Sequence, residues 1–182
     1  MNPIAMSLTS NHSLANHSLT NHALDKSVID SPLGKLICVA TQDALVGVFQ
    51  VESKASAFID VSVSDSNRIL KLTKKQLCLY FEGKIQDFTI PLAITGTPFR
   101  AQVWKALLQI PYGETRSYKD IAESIGNPKA SRAVGMANHH NPISVIIPCH
   151  RVVGKNKSLT GYAGGLENKK MLLNLESPNS FR

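Results

Sequence analysis

The spacing of apolar residues changes character near residue 92, and this change constrains the fold of the 182-residue chain more than any single motif does. Before it, short apolar runs alternate with polar residues. Ser27 to Ile29 and Leu36 to Ala40 flank Ser31-Pro32-Leu33-Gly34, a turn composition, and Ala44 to Gln50 follows a second polar turn. A period of two sends successive side chains to opposite faces, so these runs predict a small antiparallel sheet. Residues 67 to 82 then place Leu70, Leu77 and Phe81 at helical spacing and stop at Gly83, which predicts one helix laid over that sheet. Cys38 and Cys78 are expected on the apolar side of these elements as inert packing groups.

Beyond this point the pattern is helical. Thr97-Pro98 offers an N-cap followed by proline, and Phe99, Val103, Trp104, Leu107 and Leu108 form a stripe that ends near Pro111-Tyr112-Gly113, with Trp104 expected in the core. Ser117 to Ile125 predicts a second helix, Gly126-Asn127-Pro128 a tight turn, and Lys129 to about His140 a third helix. Two short helices across a glycine-containing turn make a helix-turn-helix layout, which many helical hairpins that never touch DNA also share. The expected class is α+β, with an N-terminal domain over 26–92 and a C-terminal helical domain over 97–176.

Residues 1–25 read differently from both. They carry Asn11-His12-Ser13-Leu14, Asn16-His17-Ser18-Leu19 and Asn21-His22-Ala23-Leu24 in a polar background, a low-complexity composition that predicts a disordered tail. Three of the six histidines fall here, but a spacing of five fits no compact ligand set, so no metal site is expected.

At 43% hydrophobic residues the chain can bury a core without staples. Cys38, Cys78 and Cys149 are too few and too irregularly spaced for a disulfide framework, and no leader or membrane-spanning run is evident, so a soluble protein of the reducing cytoplasm is expected. The net charge of +7 is unevenly distributed: residues 97–182 hold twelve Lys/Arg against five Asp/Glu, while residues 1–96 hold eight of each. A basic C-terminal half suits a polyanionic partner, although a merely solvated basic surface would look the same.

That half also holds the chemistry-bearing motif. Ser144 to Ile147 reads as a short buried strand that Pro148 brings to a stop, leaving Cys149 at the rim of a core. In extended chain His150 would point to the opposite side, so it would need a bridging water or a sharp turn to reach the Cys149 sulfur. A lone Cys-His dipeptide is equally well explained by a buried thiol beside a surface histidine.

The surroundings make the motif specific. Tyr118, Arg132 within Ser-Arg-Ala-Val-Gly, Asn141-Pro142, Pro148-Cys149-His150-Arg151-Val152, Tyr162-Ala163-Gly164-Gly165 and Glu176 occur in order, and this ordered set resembles the O6-alkylguanine-DNA alkyltransferases, also called methylated-DNA-protein-cysteine methyltransferases. The resemblance runs from about Thr97 to Glu176, with a weaker echo from Ser27 to Pro91. It implies a ribonuclease-H-like small sheet with a helix, without catalytic carboxylates, followed by a winged helix-turn-helix-like alkyltransferase domain. The implied reaction is irreversible, single-turnover transfer of the alkyl group from O6-alkylguanine in duplex DNA, and secondarily from O4-alkylthymine, to the Cys149 thiolate. No metal or other cofactor is implied.

The resemblance also implies residue roles. Cys149 is the acceptor, His150 removes its proton through a water, Glu176 orients that imidazole, Asn141 braces the active-site turn, and Tyr118 donates a proton to the departing purine. Val152, Tyr162, Ala163 and Gly164 wall the pocket for the extruded base, with Gly154 to Thr160 as a rim. Arg132 enters the space the base vacates, and its small neighbours Ala130, Ala133 and Gly135, with Tyr118, lie against the minor groove with little sequence selectivity. Met136, Asn138, His139 and His140 depart from the glycine-rich form of some relatives. A monomer is expected. Three alternatives remain distinct from this reading: a sequence-specific regulator that senses damage through Cys149, a cysteine hydrolase that turns over, and a lesion-binding relative, a class that lacks the acceptor cysteine.

Overall fold

The structure is a computed structural model that describes residues 23–51, 61–178, 180 and 181. The histidine repeats fall outside these residues. The chain divides into two compact units, residues 1–95 and 96–182.

In the first unit, strands β1 (Asp25–Ser31), β2 (Gly34–Ala40) and β3 (Leu45–Gln50) pair antiparallel, and the short β4 (Ser62–Val63) joins β1 in parallel, giving the order β3-β2-β1-β4. The β1–β2 turn closes at Gly34, whose φ of +90° is one that L side chains rarely adopt. Helix α1 (Arg68–Phe81) packs on β1 and β2. Asn67 caps it, accepting from the Ile69 and Leu70 amides while its own amide donates to Asp25 and to the Thr41 carbonyl, so one side chain ties the helix start to the sheet. Ile69, Leu70, Leu77 and Tyr80 face inward against Leu36, Cys38, Val39 and Val48.

The two cysteines of this unit have different environments. Cys38 is buried, and burial pushes its thiol up to about 12. Cys78 is exposed, contrary to expectation. Leu77 and Tyr80 take the inward positions of that turn, and the 100° step from Leu77 to Cys78 carries the thiol out to solvent.

The second unit is built on α2 (Pro98–Leu107), α3 (Tyr118–Ser124), α4 (Ser131–His139) and α5 (Leu166–Glu176). Thr97 and Ser117 cap α2 and α3, the latter in a reciprocal capping box with Asp120. Trp104 is 2% exposed and its indole N–H donates to the Ala137 carbonyl at 2.9 Å, which locks α2 to α4. A two-residue parallel ladder between β5 (Arg116–Ser117) and β6 (Val152–Val153) brings the start of α3 beside the segment that follows Cys149.

Residues Ser144 to Ile147 are buried or half-buried as expected, but they form turns and not a strand. The Ile147 amide donates to the Ile143 carbonyl and the Ile146 amide to the Ser144 carbonyl, both at 2.9 Å, with Val145 at φ +73°. An apolar run without periodicity does not separate strand from buried turn. Here Asn141 and local bonds satisfy the backbone that a sheet partner would otherwise have to satisfy.

Candidate active site

Pro148 ends the turns and Cys149–Arg151 forms one turn of 3-10 helix, the sharp turn that the adjacent Cys-His pair needs. Cys149 is 3% exposed. The Asn141 side-chain amide donates to its sulfur at 3.1 Å and to the Ile147 carbonyl at 2.8 Å, while the Asn141 side-chain oxygen accepts from the Ile143 amide at 3.0 Å. One asparagine therefore holds both the turn and the thiol. Burial pushes the Cys149 thiol up, and the Asn141 hydrogen bond and the Lys169 charge oppose that rise without overcoming it.

Behind the sulfur lies a charged cluster. His150 is fully buried, with Nε2 2.9 Å from Glu176 Oε1. Arg151 donates through Nε to Glu176 Oε2 at 2.8 Å, through Nη2 to Oε1 at 2.9 Å and through Nη1 to the Ile110 carbonyl at 2.6 Å. The Gly113 amide adds a further bond to Glu176. Burial alone would raise the Glu176 carboxyl, but hydrogen bonds and charge from His150 and Arg151 hold it well below the usual carboxylate range. Burial keeps His150 below its ordinary value against the pull of Glu176. Since the ionised carboxylate only accepts, Nε2 carries the imidazole proton and Nδ1 is the basic nitrogen.

These shifts give an acid response with a definite sign. Below 6.5 the unfolded chain binds a proton at His150 that the folded chain resists, and below 4.5 the same holds for Glu176. Both contributions to stability are present above those values and are lost as pH falls. Urea unfolding from pH 8 to pH 4 is expected to show a midpoint that declines below about pH 6.5 and more steeply below about pH 4.5. The steeper limb flattens in Glu176→Gln.

The opposite wall starts at Tyr118, the first residue of α3. Its hydroxyl donates to the Thr160 carbonyl at 3.0 Å, with the Gly161 carbonyl at 3.4 Å. Gly161 has φ +54°, and a Cβ there would stand 2.9 Å from the Tyr118 oxygen, so a side chain is excluded. Lys169 of α5 is fully buried and spans the same segment, its ammonium donating to the Val152 and Thr160 carbonyls at 2.6 Å each. Burial pulls its pKa down to about 8.

The structure brings Cys149, His150, Asn141 and Glu176 into one connected network and sets Tyr118 against Thr160 and Gly161. Val152 is buried in β6, Tyr162 and Gly164 are half-buried, and Ala163 is exposed. On α4, Arg132 and Ala133 are exposed and Gly135 is half-buried, whereas Ala130 is largely buried and offers little surface to a groove. The described residues hold no cluster of three or more His, Cys, Asp and Glu able to hold a metal ion, and none of their helices is long and apolar enough to cross a membrane. A cavity of about 300 Å³ between α2 and α3, lined by Ile110, Arg116 and Ile121 among others, contains none of the expected site residues.

Arg151 and Lys169 were not expected as site residues. The signal for Lys169 lies in the spacing of α5: Lys169, Leu172, Leu173 and Glu176 are its four buried residues, an i, i+3, i+4, i+7 stripe with a charge at each end. Charged residues at the ends of an inward stripe require partners.

This arrangement of a buried thiol backed by an imidazole-carboxylate pair, beside a helix-turn-helix, defines a cysteine-centred protein with a DNA-binding type of fold. Residues 98–178 match the family described as 6-O-methylguanine DNA methyltransferase, DNA binding domain, and residues 24–94 match 6-O-methylguanine DNA methyltransferase, ribonuclease-like domain. The chain is 46% identical over 152 residues to the methylated-DNA--protein-cysteine methyltransferase of Methanosarcina barkeri, covering 84% of this chain and 96% of the relative. It is also 46% identical to the constitutive enzyme of that name from Bacillus subtilis, covering 81% and 92% of the two chains. Among solved structures, the Mycobacterium tuberculosis O6-methylguanine methyltransferase superposes with a TM-score of 0.79 at 43% identity, over 86% of this chain and 94% of that one. An OGT from the same organism in complex with DNA gives 0.78 at 42% identity, over 85% and 94%. The chain belongs to the methylated-DNA-protein-cysteine methyltransferase family.

Proposed function

We propose that this protein repairs O6-alkylguanine in duplex DNA by moving the alkyl group to Cys149, once per molecule. The observation that carries the reading is the network joining Cys149 Sγ to Asn141 and, on the next residue, His150 to the ionised Glu176. O4-alkylthymine is the secondary substrate. The test is a titration in which duplex DNA containing O6-methylguanine is mixed with increasing protein. Restored guanine is expected to plateau at one per protein molecule, and a plateau that keeps rising with time would mean turnover and a hydrolase.

In this mechanism His150 Nδ1 takes the Cys149 proton, directly or through one water, and Glu176 stabilises the imidazolium that forms. The thiolate attacks the alkyl carbon, so a sulfur–carbon bond forms as the carbon–oxygen bond breaks. The electron pair of that bond stays on the purine. Tyr118 releases the Thr160 carbonyl and donates its hydroxyl proton toward the purine, and the proton held by His150 restores the balance. The product thioether carries no carbonyl for water to attack, which is why the protein is consumed. In the resting state the buried, raised thiol is protonated and shielded from stray electrophiles.

The base must leave the helix stack, and exposed Arg132 near the start of α4 fills the space it vacates from the minor-groove side, with little sequence selectivity. Arg132→Ala is expected to slow transfer from duplex O6-methylguanine by about tenfold or more, since a few kcal/mol of unstacking is no longer offset. Transfer from the free alkylated base is expected to be unchanged, and equal losses on both substrates would place Arg132 in the pocket instead. The protein acts as a monomer in the cytoplasm, a compartment compatible with its three free thiols.

A further inference from the structure

Asn138 is an unexplained polar group. It is 3% exposed, and among the described residues neither its side-chain nitrogen nor its oxygen has a hydrogen-bond partner. Buried amides are normally paired, and one left with both arms unmet points to a partner that arrives later. Its position says where. Three residues earlier on α4, Gly135 lies against the Tyr118 ring, where an added Cβ would be 3.7 Å from Cε1. Three residues later, the Asn141 backbone amide donates to the Asn138 carbonyl at 3.1 Å, and the Asn141 side chain reaches the Cys149 sulfur. Residues at i and i+3 share a helix face. Asn138 therefore lies on the stripe between the residue that touches Tyr118 and the residue that touches the thiol, the two ends of the proposed pocket.

We propose that Asn138 reads the extruded base, with its side-chain oxygen accepting from the 2-amino group of O6-alkylguanine and its side-chain nitrogen donating to an adjacent ring nitrogen. This inference rests on the function proposed above. The chemistry selects guanine over thymine. O6-alkylation removes the proton from N1, so the 2-amino donor is flanked by an acceptor nitrogen on either side, and an amide complements either edge. O4-alkylthymine offers acceptors only and leaves the Asn138 oxygen unmet. A site built to hydrogen-bond its ligand discriminates against analogues lacking the group. Asn138 would thus make the protein favour O6-alkylguanine over O4-alkylthymine.

The test compares wild type with Asn138→Leu, a replacement of similar size, in single-turnover methyl transfer from three duplexes containing O6-methylguanine, O6-methylhypoxanthine or O4-methylthymine. O6-methylhypoxanthine lacks only the 2-amino group. Wild type is expected to prefer O6-methylguanine over O6-methylhypoxanthine by about tenfold, the equivalent of one net hydrogen bond. Asn138→Leu is expected to lose that preference by slowing on O6-methylguanine alone, while its melting temperature stays level or rises because an unmet buried amide has been removed. Equal slowing on all three duplexes, or an unchanged preference, would overturn the assignment of Asn138 and leave the alkyl transfer itself standing. No transfer by wild type from any duplex would overturn the underlying reading instead. Should Asn138→Leu fail to fold, Asn138→Asp provides the same comparison, since it keeps the acceptor and loses the donor. It is then expected to retain the guanine-over-hypoxanthine preference, and losing it would count against the proposal.

Discussion

Cys149→Ser is expected to lower methyl transfer at least about 1000-fold, to below detection in a single-turnover assay. Serine keeps the size of the side chain and an oxygen that accepts from the Asn141 amide, so the turn that presents the residue should survive. Sulfur is the better nucleophile because its anion is accessible near neutral pH, whereas a hydroxyl has no comparable ionised fraction. The variant should unfold within about 1–2 kcal/mol of wild type and still bind lesion-bearing duplex, since the groups proposed to hold DNA are untouched. Loss of binding together with transfer would mean that Cys149 is structural.

A larger combined effect is expected at Glu176. Its carboxylate accepts from both His150 and Arg151, and all three side chains are buried. Glu176→Gln leaves the Arg151 guanidinium in the interior without a counter-charge, which costs about 3–5 kcal/mol of stability when one partner of a buried pair is removed. It also removes the charge that stabilises the imidazolium, so transfer is expected to fall about 10²–10⁴-fold. The two effects separate in the double replacement Glu176→Leu with Arg151→Met. Removing both charges is expected to recover most of the stability and none of the rate, because a buried pair replaced by apolar groups is close to neutral for folding. Rate recovering with stability would assign Glu176 a role in packing alone. Calorimetry and single-turnover kinetics on the same four proteins check both halves.

Much of this geometry is legible in the residues because local chemistry and tertiary packing agree there. The β1–β2 hairpin follows from alternation around Ser31-Pro32-Leu33-Gly34, and the starts of α2 and α3 follow from Thr97-Pro98 and from the Ser117–Asp120 capping box. The Cys149–His150 pair and distant Glu176 become one site through family resemblance, since spacing alone does not connect residues 26 positions apart. Where reading from sequence fails, tertiary context overrides a local pattern. Ser144 to Ile147 has strand composition, but Pro142 and Pro148 bracket it and Asn141 satisfies its backbone, so it coils into turns. Cys78 belongs to an apolar stretch whose inward places Leu77 and Tyr80 already fill. Lys169 and Arg151 are basic residues in a basic half, and only their buried carbonyl and carboxylate partners distinguish them from a solvated surface.

The glycine and lysine around Tyr118 show how that wall is built. Gly161 leaves room for the tyrosine hydroxyl, and Lys169 fixes the Val152 and Thr160 carbonyls on either side of the Gly154 to Ser158 loop. Two distant backbone segments are thus tied to α5, the helix that ends in Glu176. The proposed acceptor, proton relay and pocket wall share this one helix as their support, which matches the need to hold reacting groups to within a fraction of an ångström.

The most direct measurement is peptide mass spectrometry of the protein after reaction with duplex DNA carrying isotopically labelled O6-methylguanine. The account predicts a single labelled methyl group on the peptide containing Cys149, stopping at one per molecule, with the exposed Cys78 and buried Cys38 unmodified. Label on Cys78, or unlabelled protein beside DNA whose lesions remain, would contradict it.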